Sequence, residues 1–568
     1  MRKLVLVFLC GAAVHAMGQG STAAAAAAAP AVAAAGPVTI QVDLAKPLGV
    51  YKPITRWFGY DEINYTTMPH GQQLLGELHD MSPVPVYIRA HHLFTSGDGK
   101  AKLKWSSTNI FSLDANGKPV YDFTVIDEIF DAYKAAGVKP MVELGFMPKD
   151  LATGTAEYEQ AYPNTVKGSV QSPPKDYAMW GELVYRFTQH MVERYGRAEV
   201  ATWYFEVWNE PDIGYWQGTP AEYLKLYDYS VAGVRKALAT AKVGGPAATG
   251  PGSARATTFL QNFFKHCAND KSAATGGPIP LDFVSFHPKG SARFVDGHVR
   301  MGLSNELNAA ASGFRTVAAD AKYHDLPIIL SEADPEGCAA CSAKENPNNA
   351  YRNGTVYPTY TAAAMKSFLD LAAEYKVNLI GMVTWAFEFE NKQYFEGFRT
   401  LATNGIDKPV LNFFRMAAML GGDRVAATSS ASVAAEEIVK NGVRAQADVD
   451  AVATKAEHEA TVMVWNYFDD EVPAADAEVT VKIVGIPAGV RRVRVDHYRI
   501  DQTHSNAYTA WVGMGSPQSP TPEQYAQLRA AGQLQTLTSP EWLDVNAGTV
   551  AIPVELPRES ISLLHLGW

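Results

Sequence analysis

An α/β fold, a (β/α)8 TIM barrel followed by an accessory β-sandwich domain, is what the 568-residue sequence predicts. Three observations predict it. Eight short β-rich runs occur between about residue 38 and residue 420, amphipathic helical stretches separate them, and after Gly422 the pattern turns to Val- and Thr-rich alternation. Strand–helix alternation sustained over roughly 360 residues fits a closed parallel barrel with insertions. A doubly wound open sheet is the alternative, but no Gly-rich phosphate turn follows the first strand.

The elements follow in chain order. Met1-Arg2-Lys3, the apolar run Leu4 to Ala13 and the small residues around Val14-His15-Ala16 have the layout of a secretory signal peptide over residues 1–19. A secreted or periplasmic protein is expected. Residues 20–37 are Ala-rich, Pro-punctuated and without amphipathic period, which predicts a flexible leader. The barrel is expected over 38–422, with strands at Arg56–Asp61, Val84–His91, Lys139–Leu144, Trp203–Trp208, Val243–Ala248, Phe283–His287, Ile328–Glu332 and Leu379–Phe387. Between them, a helix from Thr124 buries Ile126, Ile129, Phe130 and Tyr133 and stops at Gly137. Another runs from Tyr177 to Tyr195 and stops at Gly196. Thr219-Pro220-Ala221-Glu222 opens a third with an N-cap, a first-turn proline and a capping-box glutamate. Residues 423–568 read as the sandwich, with alternating runs at Ala460–Trp465, Glu478–Val484 and Val490–Val495. Gly515 to Arg529 interrupts them as a loop and a short helix. The link to the barrel is short and ordinary in composition, so the sandwich is expected to pack against it.

Lys and Arg number 49 against 59 Asp and Glu, a net charge of −10, and no basic stripe offsets it. Nucleic acid and anionic membrane are therefore poor partners. No segment offers about 20 uninterrupted apolar residues, so no membrane span is expected. Without the leader three cysteines remain, Cys267, Cys338 and Cys341, too few for a disulfide framework. Cys338-Ala-Ala-Cys341 has redox or metal-ligand spacing, but zinc needs further ligands nearby, and a local loop disulfide is the favoured reading. Gly244 to Gly252 lacks the Lys-Ser/Thr of a P-loop, and neither His-Glu-x-x-His nor Gly-x-Ser-x-Gly occurs. Oligomeric state is not readable.

In such a barrel reactive side chains end the strands. Strand two ends in His91-His92, strand three contains Glu143, strand four ends in Asn209-Glu210-Pro211, strand six in His287-Pro288-Lys289 and strand seven in Ser331-Glu332. Glu210 and Glu332 thus face each other across the barrel mouth, where two carboxyl groups can flank a glycosidic bond. Asn209 can hydrogen-bond the sugar hydroxyl beside the reacting carbon. Glu206 is read as a structural partner of an arginine, Glu143 as a framework residue, and His91 and His287 as binding groups with satisfied core imidazoles as the alternative.

Phe205-Glu206-Val207-Trp208-Asn209-Glu210-Pro211, Glu143-Leu-Gly-Phe-Met-Pro148, Ile328-Ile-Leu-Ser-Glu332, Asn404-Gly-Ile-Asp-Lys-Pro-Val410 and His497-Tyr-Arg-Ile-Asp501 together resemble glycoside hydrolase family 39, the family of β-xylosidases and α-L-iduronidases. The resemblance spans nearly everything after about residue 40. It implies a retaining exo-glycosidase without metal or cofactor, Glu210 as general acid/base and Glu332 as nucleophile. It further implies His91, His287 and Glu390 as hydroxyl-binding residues, with Glu388 and Glu396 as rivals for the last, and Trp385 as an aromatic floor. Lys289, in His-x-Lys, is similar to the iduronidase branch, whereas the strand-seven, strand-eight and sandwich text is closer to bacterial β-xylosidases. The expected activity is release of xylose from the non-reducing end of xylo-oligosaccharides. Iduronidase-like, arabinosidase or galactosidase specificity are the alternatives in class, and a non-catalytic carbohydrate-binding protein is the alternative outside it.

Overall fold

The computed structural model describes residues 36–61, 63–98, 107–158, 168–385, 387–389 and 391–568. The signal peptide expected at 1–19 lies outside the described residues, as does all but the end of the leader expected at 20–37. Eight strands form a closed barrel. They are β1 (Trp57–Tyr60), β2 (Tyr87–Ala90), β3 (Lys139–Leu144), β4 (Tyr204–Val207), β5 (Lys242–Thr249), β6 (Phe283–His287), β7 (Pro327–Leu330) and β8 (Asn378–Trp385). Every neighbouring pair is parallel, and β8 closes on β1 through Val383↔Trp57 and Trp385↔Gly59. A helix follows each strand in turn: α1 (Pro69–Asp80), α2 (Thr124–Ala136), α3 (Tyr177–Tyr195), α4 (Pro220–Ala237), α5 (Ala254–Asn269), α6 (Leu303–Ala318), α7 (Val356–Tyr375) and α8 (Pro409–Ala418). The predicted punctuation is in place. Gly137 ends α2 in the left-handed region at φ 76°, and Thr219 and Glu222 close the capping box of α4.

Strand alternation sorts the barrel interior into layers. Trp57, Tyr87, Met141, Phe283, Ile329, Val383 and Trp385 form one buried cluster, with Trp57 stacked on Tyr87 at 4.2 Å. Truncating one such ring costs about 3–5 kcal/mol, so this layer is the rigid base on which the polar residues stand. Gly59 and Gly244 serve this packing: a Cβ on Gly59 would lie 2.2 Å from the Trp385 ring, and one on Gly244 2.3 Å from the Phe283 carbonyl.

The remaining chain forms one ten-stranded, mostly antiparallel sheet. Val38–Val50, assigned with the barrel in the reading of 38–422, belongs instead to this second sheet. It pairs antiparallel with Asp423–Ser429 (Ile40↔Ser429) and parallel with Ala477–Val484 (Val42↔Ile483). The reason lies in its alternation: Val38, Ile40 and Val42 are buried while Thr39 and Gln41 are exposed, the pattern of a one-sided sheet and not of a barrel strand covered on both faces. Val479, Val481, Ile483, Val493, Ile552 and Leu566 share the same second core. Asp448–Lys455 and Glu459–Tyr467 are buried on both faces, because their far side packs on α7, where Tyr360 meets Tyr467 at 5.9 Å and Lys366 pairs with Asp450 at 2.9 Å. Helices Ala507–Gly513 and Pro522–Gly532 reach back to the segment after β8, with Trp511 and Leu528 burying Phe395 and Ile406. The sheet is thus docked on the barrel, as the short link suggested.

Candidate active site

Alternation along β2 points Tyr87 and Arg89 toward the barrel axis, with His91 directly beyond them. Arg89 has no exposed side-chain surface and reaches four sides of the site. Its Nε lies 2.6 Å from Glu206 and its Nη2 2.8 Å from Glu143; Nη2 also donates to Asn209 Oδ1 at 3.2 Å, and Nη1 lies 3.0 Å from Glu332. A guanidinium withdrawn from water this completely is tolerable only because carboxylates surround it. Glu206 therefore is the structural partner expected of it, and Glu143 is a framework residue. Burial raises the Glu143 carboxyl above its ordinary range despite His91 and Arg89 beside it.

His91 joins the same layer. Its Nδ1 is 2.6 Å from Asp61 and its Nε2 3.1 Å from Glu143 and 3.4 Å from Glu332. Burial works against its charge, but Glu143 and Asp61 outweigh burial and hold it well above the usual imidazole range. The ring also packs 4.3 Å from Trp385, whose face takes the Arg89 guanidinium at 5.1 Å.

Glu210 is delivered by unusual backbone. Trp208 (φ 70°) and Glu210 (φ 44°) both lie in the left-handed region, a cost of about 1–3 kcal/mol each that the surrounding fold must offset. The Glu210 amide donates to the Ala247 carbonyl at 2.9 Å, and its carboxylate meets His287 Nδ1 at 3.0 Å. From β7, Glu332 comes to the same place: its Oε1 is 3.6 Å from His287 Nδ1, and its Oε2 accepts from Lys289 Nζ at 2.6 Å. Oxygens of Glu210 and Glu332 lie within 4.8 Å of one another, with His287 between them. Burial pushes the Glu332 carboxyl up, but Lys289, His287, His91 and Arg89 outweigh it and leave it well below the ordinary range. One carboxylate is thus locked in its ionised form among cations; the other meets the His287 imidazole and keeps 12% of its side chain exposed. Such a pair can attack at one atom and deliver a proton at its neighbour.

The sequence-predicted residues Glu210, Glu332, His91, Asn209, His287, Lys289 and Trp385 come together in this one cluster; Glu390 lies outside the described residues. Of its rivals, Glu388 is buried and accepts from the Gly405 amide at 2.6 Å, so it is occupied in holding the loop after β8. Glu396 is half-buried there. Three residues escaped the sequence reading: Arg89, Asp61 and Asp334, the last 2.7 Å from Lys289 Nζ. An arginine inside the apolar run Val84–His91 was the available signal, since a charge there needs partners. Among the described residues two donor groups are close enough to hold a cation, Asp61 with His91 and His92, and Glu210 with His287 and Glu332. In the second, Lys289 and Arg89 already place two positive charges on Glu332, which opposes a third.

A family model described as glycosyl hydrolases family 39 matches residues 100–542. The chain is 26% identical over 491 residues to a β-xylosidase of Geobacillus stearothermophilus, covering 84% of this chain and 86% of that relative. It is 25% identical over 556 residues to the α-L-iduronidase of Mus musculus, covering 94% and 81%. In fold it is similar to a monomeric β-xylosidase from Caulobacter crescentus CB15, with a TM-score of 0.72 at 22% identity over 93% of this chain and 99% of that one.

Proposed function

The chain belongs to glycosyl hydrolases family 39, and from that premise and the geometry of the two glutamates we propose that it is a retaining exo-glycosidase of β-xylosidase type. It is an O-glycosyl hydrolase by family; retention, exo action and the sugar are our reading. The observation that carries the reading is the approach of Glu210 and Glu332 oxygens to within 4.8 Å. Retaining enzymes hold their carboxyl groups about 5–5.5 Å apart, whereas inverting ones need about 6.5–9.5 Å to admit a water.

In this mechanism Glu332, kept ionised by Lys289 and Arg89, attacks the anomeric carbon while Glu210 protonates the departing oxygen. The glycosidic bond breaks and an ester to Glu332 forms. Glu210, now the base, takes a proton from water as that water attacks the same carbon and frees Glu332. Asn209, fixed by Arg89, is placed to hydrogen-bond the hydroxyl next to the reacting carbon, and His91 and Trp385 form the wall beneath the sugar. The reading on xylose is supported by the likeness to bacterial β-xylosidases.

Glu332→Ala is expected to lower kcat by roughly 10⁴-fold or more, and azide should restore turnover as the inverted glycosyl azide. Undiminished activity in that variant would remove Glu332 from its role. A second reading rests on Lys289: an ammonium 2.6 Å from Glu332 suits a sugar that carries a carboxylate, as an iduronide does. Nitrophenyl β-xyloside, arabinoside and galactoside assayed beside a fluorogenic α-L-iduronide separate these specificities. Binding of xylobiose in a calorimeter without any sugar release would favour a non-catalytic protein instead. The charged and then apolar start of the chain supports export to the periplasm or medium, which N-terminal sequencing of the mature protein tests.

A further inference from the structure

The segment that leaves β7 carries Glu332, then Asp334, Glu336 and the Cys338–Cys341 disulfide, whose Cα atoms are 5.7 Å apart. Each of these steps is tied to the next by a cation. Asp334 holds Lys289 Nζ at 2.7 Å with one oxygen and accepts from the Trp385 amide at 2.8 Å with the other. Arg399, also fully buried, lies 3.3 Å from Asp334 and 2.9 Å from Glu336, and its Nε donates to the Trp385 carbonyl at 2.9 Å. Arg352 completes the set: it pairs with Glu336 at 2.8 Å and donates to the carbonyls of both half-cystines, 2.5 Å to Cys338 and 2.6 Å to Cys341. The Arg399 amide donates to the Ala339 carbonyl inside the bridged turn at 3.2 Å. The disulfide therefore fixes the acceptors that orient Arg352 and Arg399, and these two orient Asp334.

We propose that Arg352, Arg399 and Asp334, held by the turn that Cys338 and Cys341 close, are positioning residues that keep Lys289 on the nucleophile, so that reducing the bridge weakens catalysis without unfolding the enzyme. The inference rests on Glu332 acting as the nucleophile. The reductant is a dithiol: it delivers two electrons and two protons, the sulfur–sulfur bond breaks, both cysteines become thiols, and the dithiol becomes its cyclic disulfide. Access is open, since Cys338 and Cys341 are half-buried and Gly337 between them and Glu336 is exposed. With the turn loosened, Asp334 no longer anchors Lys289, and Glu332 loses part of the positive charge that keeps it ionised. The groups facing Lys289 are Glu332, Asp334, Arg399 and Glu306, the last bonded by the Tyr360 hydroxyl, and those facing Glu332 are Lys289, His287, His91, Arg89, Glu210 and Tyr215; Asp334 is the carboxylate that pairs with Lys289 opposite the nucleophile.

The test is kcat and its pH profile for the full chain before and after dithiothreitol, on whichever glycoside the oxidised enzyme cleaves. Thiols are counted in denaturant, where two must appear beyond those of the oxidised chain. We expect kcat to fall about tenfold with KM changed far less, as for lost orientation. The acid limb should move up by roughly half a pH unit, and the far-UV spectrum should stay unchanged. Cys338→Ser combined with Cys341→Ser should reproduce the reduced profile and be indifferent to dithiothreitol. Asp334→Asn should lower kcat with KM changed far less and the bridge intact, as for lost orientation of Lys289. Full reduction with kcat and acid limb unmoved overturns the proposal, and so does loss of the far-UV signal on reduction, which would make the bridge a fold element only. An oxidised enzyme inactive on every glycoside would bring down the functional reading and this inference together.

Discussion

A single guanidinium with no exposed surface touches Glu143, Glu206, Asn209 and Glu332. Removing a partner from such a buried network costs about 3–5 kcal/mol, because the carboxylates left behind stay desolvated. Arg89→Met should therefore lower the unfolding free energy in a denaturant titration by that amount and depress kcat at the same time. A loss confined to one of the two measurements would contradict the network. Glu210 offers a sharper discrimination between residue roles. If it protonates the leaving oxygen, Glu210→Gln should cost far more on xylobiose than on a nitrophenyl glycoside, whose leaving group needs no proton; the gap should be roughly 10²-fold or larger. Equal losses on both substrates would move the acid elsewhere.

The same reasoning extends to pairs of elements. Glu306 on α6 accepts from the Tyr360 hydroxyl on α7, and Glu559, on the turn before the last strand, accepts from the Thr359 hydroxyl of α7 at 2.6 Å. Burial raises both carboxyls from an ordinary 4.5 to about 8. The folded state binds these protons more tightly than the unfolded chain, so their contribution is complete below pH 4.5 and disappears as pH rises toward 8. Glu336 runs the other way: Arg352 and Arg399 overcome burial and bring it to about 2, so its contribution is present above 4.5 and lost as pH falls toward 2. The melting temperature should accordingly peak in mildly acidic buffer and decline toward pH 8.5, and Glu306→Gln should flatten the alkaline decline. All eight barrel strands and the caps of α2 and α4 were legible in the sequence because they depend on local period and local turn chemistry. Val38–Val50 was legible as a strand but not by address, since its partners lie near residues 429 and 483. Arg89 and Asp334 were missed for a related reason: what gives them meaning is a neighbour brought in by a different strand.

Whole-molecule stability follows from the docking of the second sheet on α7, a helix buried along most of its length. A chain ended at Leu420 would expose that helix and leave the N-terminal strand unpaired. It should elute as aggregate in size-exclusion chromatography, whereas a barrel independent of the sheet would run as a sharp monomer. The location of Val38–Val50 also has a consequence in time. The Thr39 amide bonds the hydroxyl of Ser430 across 391 residues of chain. On a ribosome that makes roughly 5–20 residues each second, the first strand thus waits tens of seconds for either neighbour to be translated. Val38–Val50 therefore stays without its sheet neighbours until the entire barrel sequence has been made.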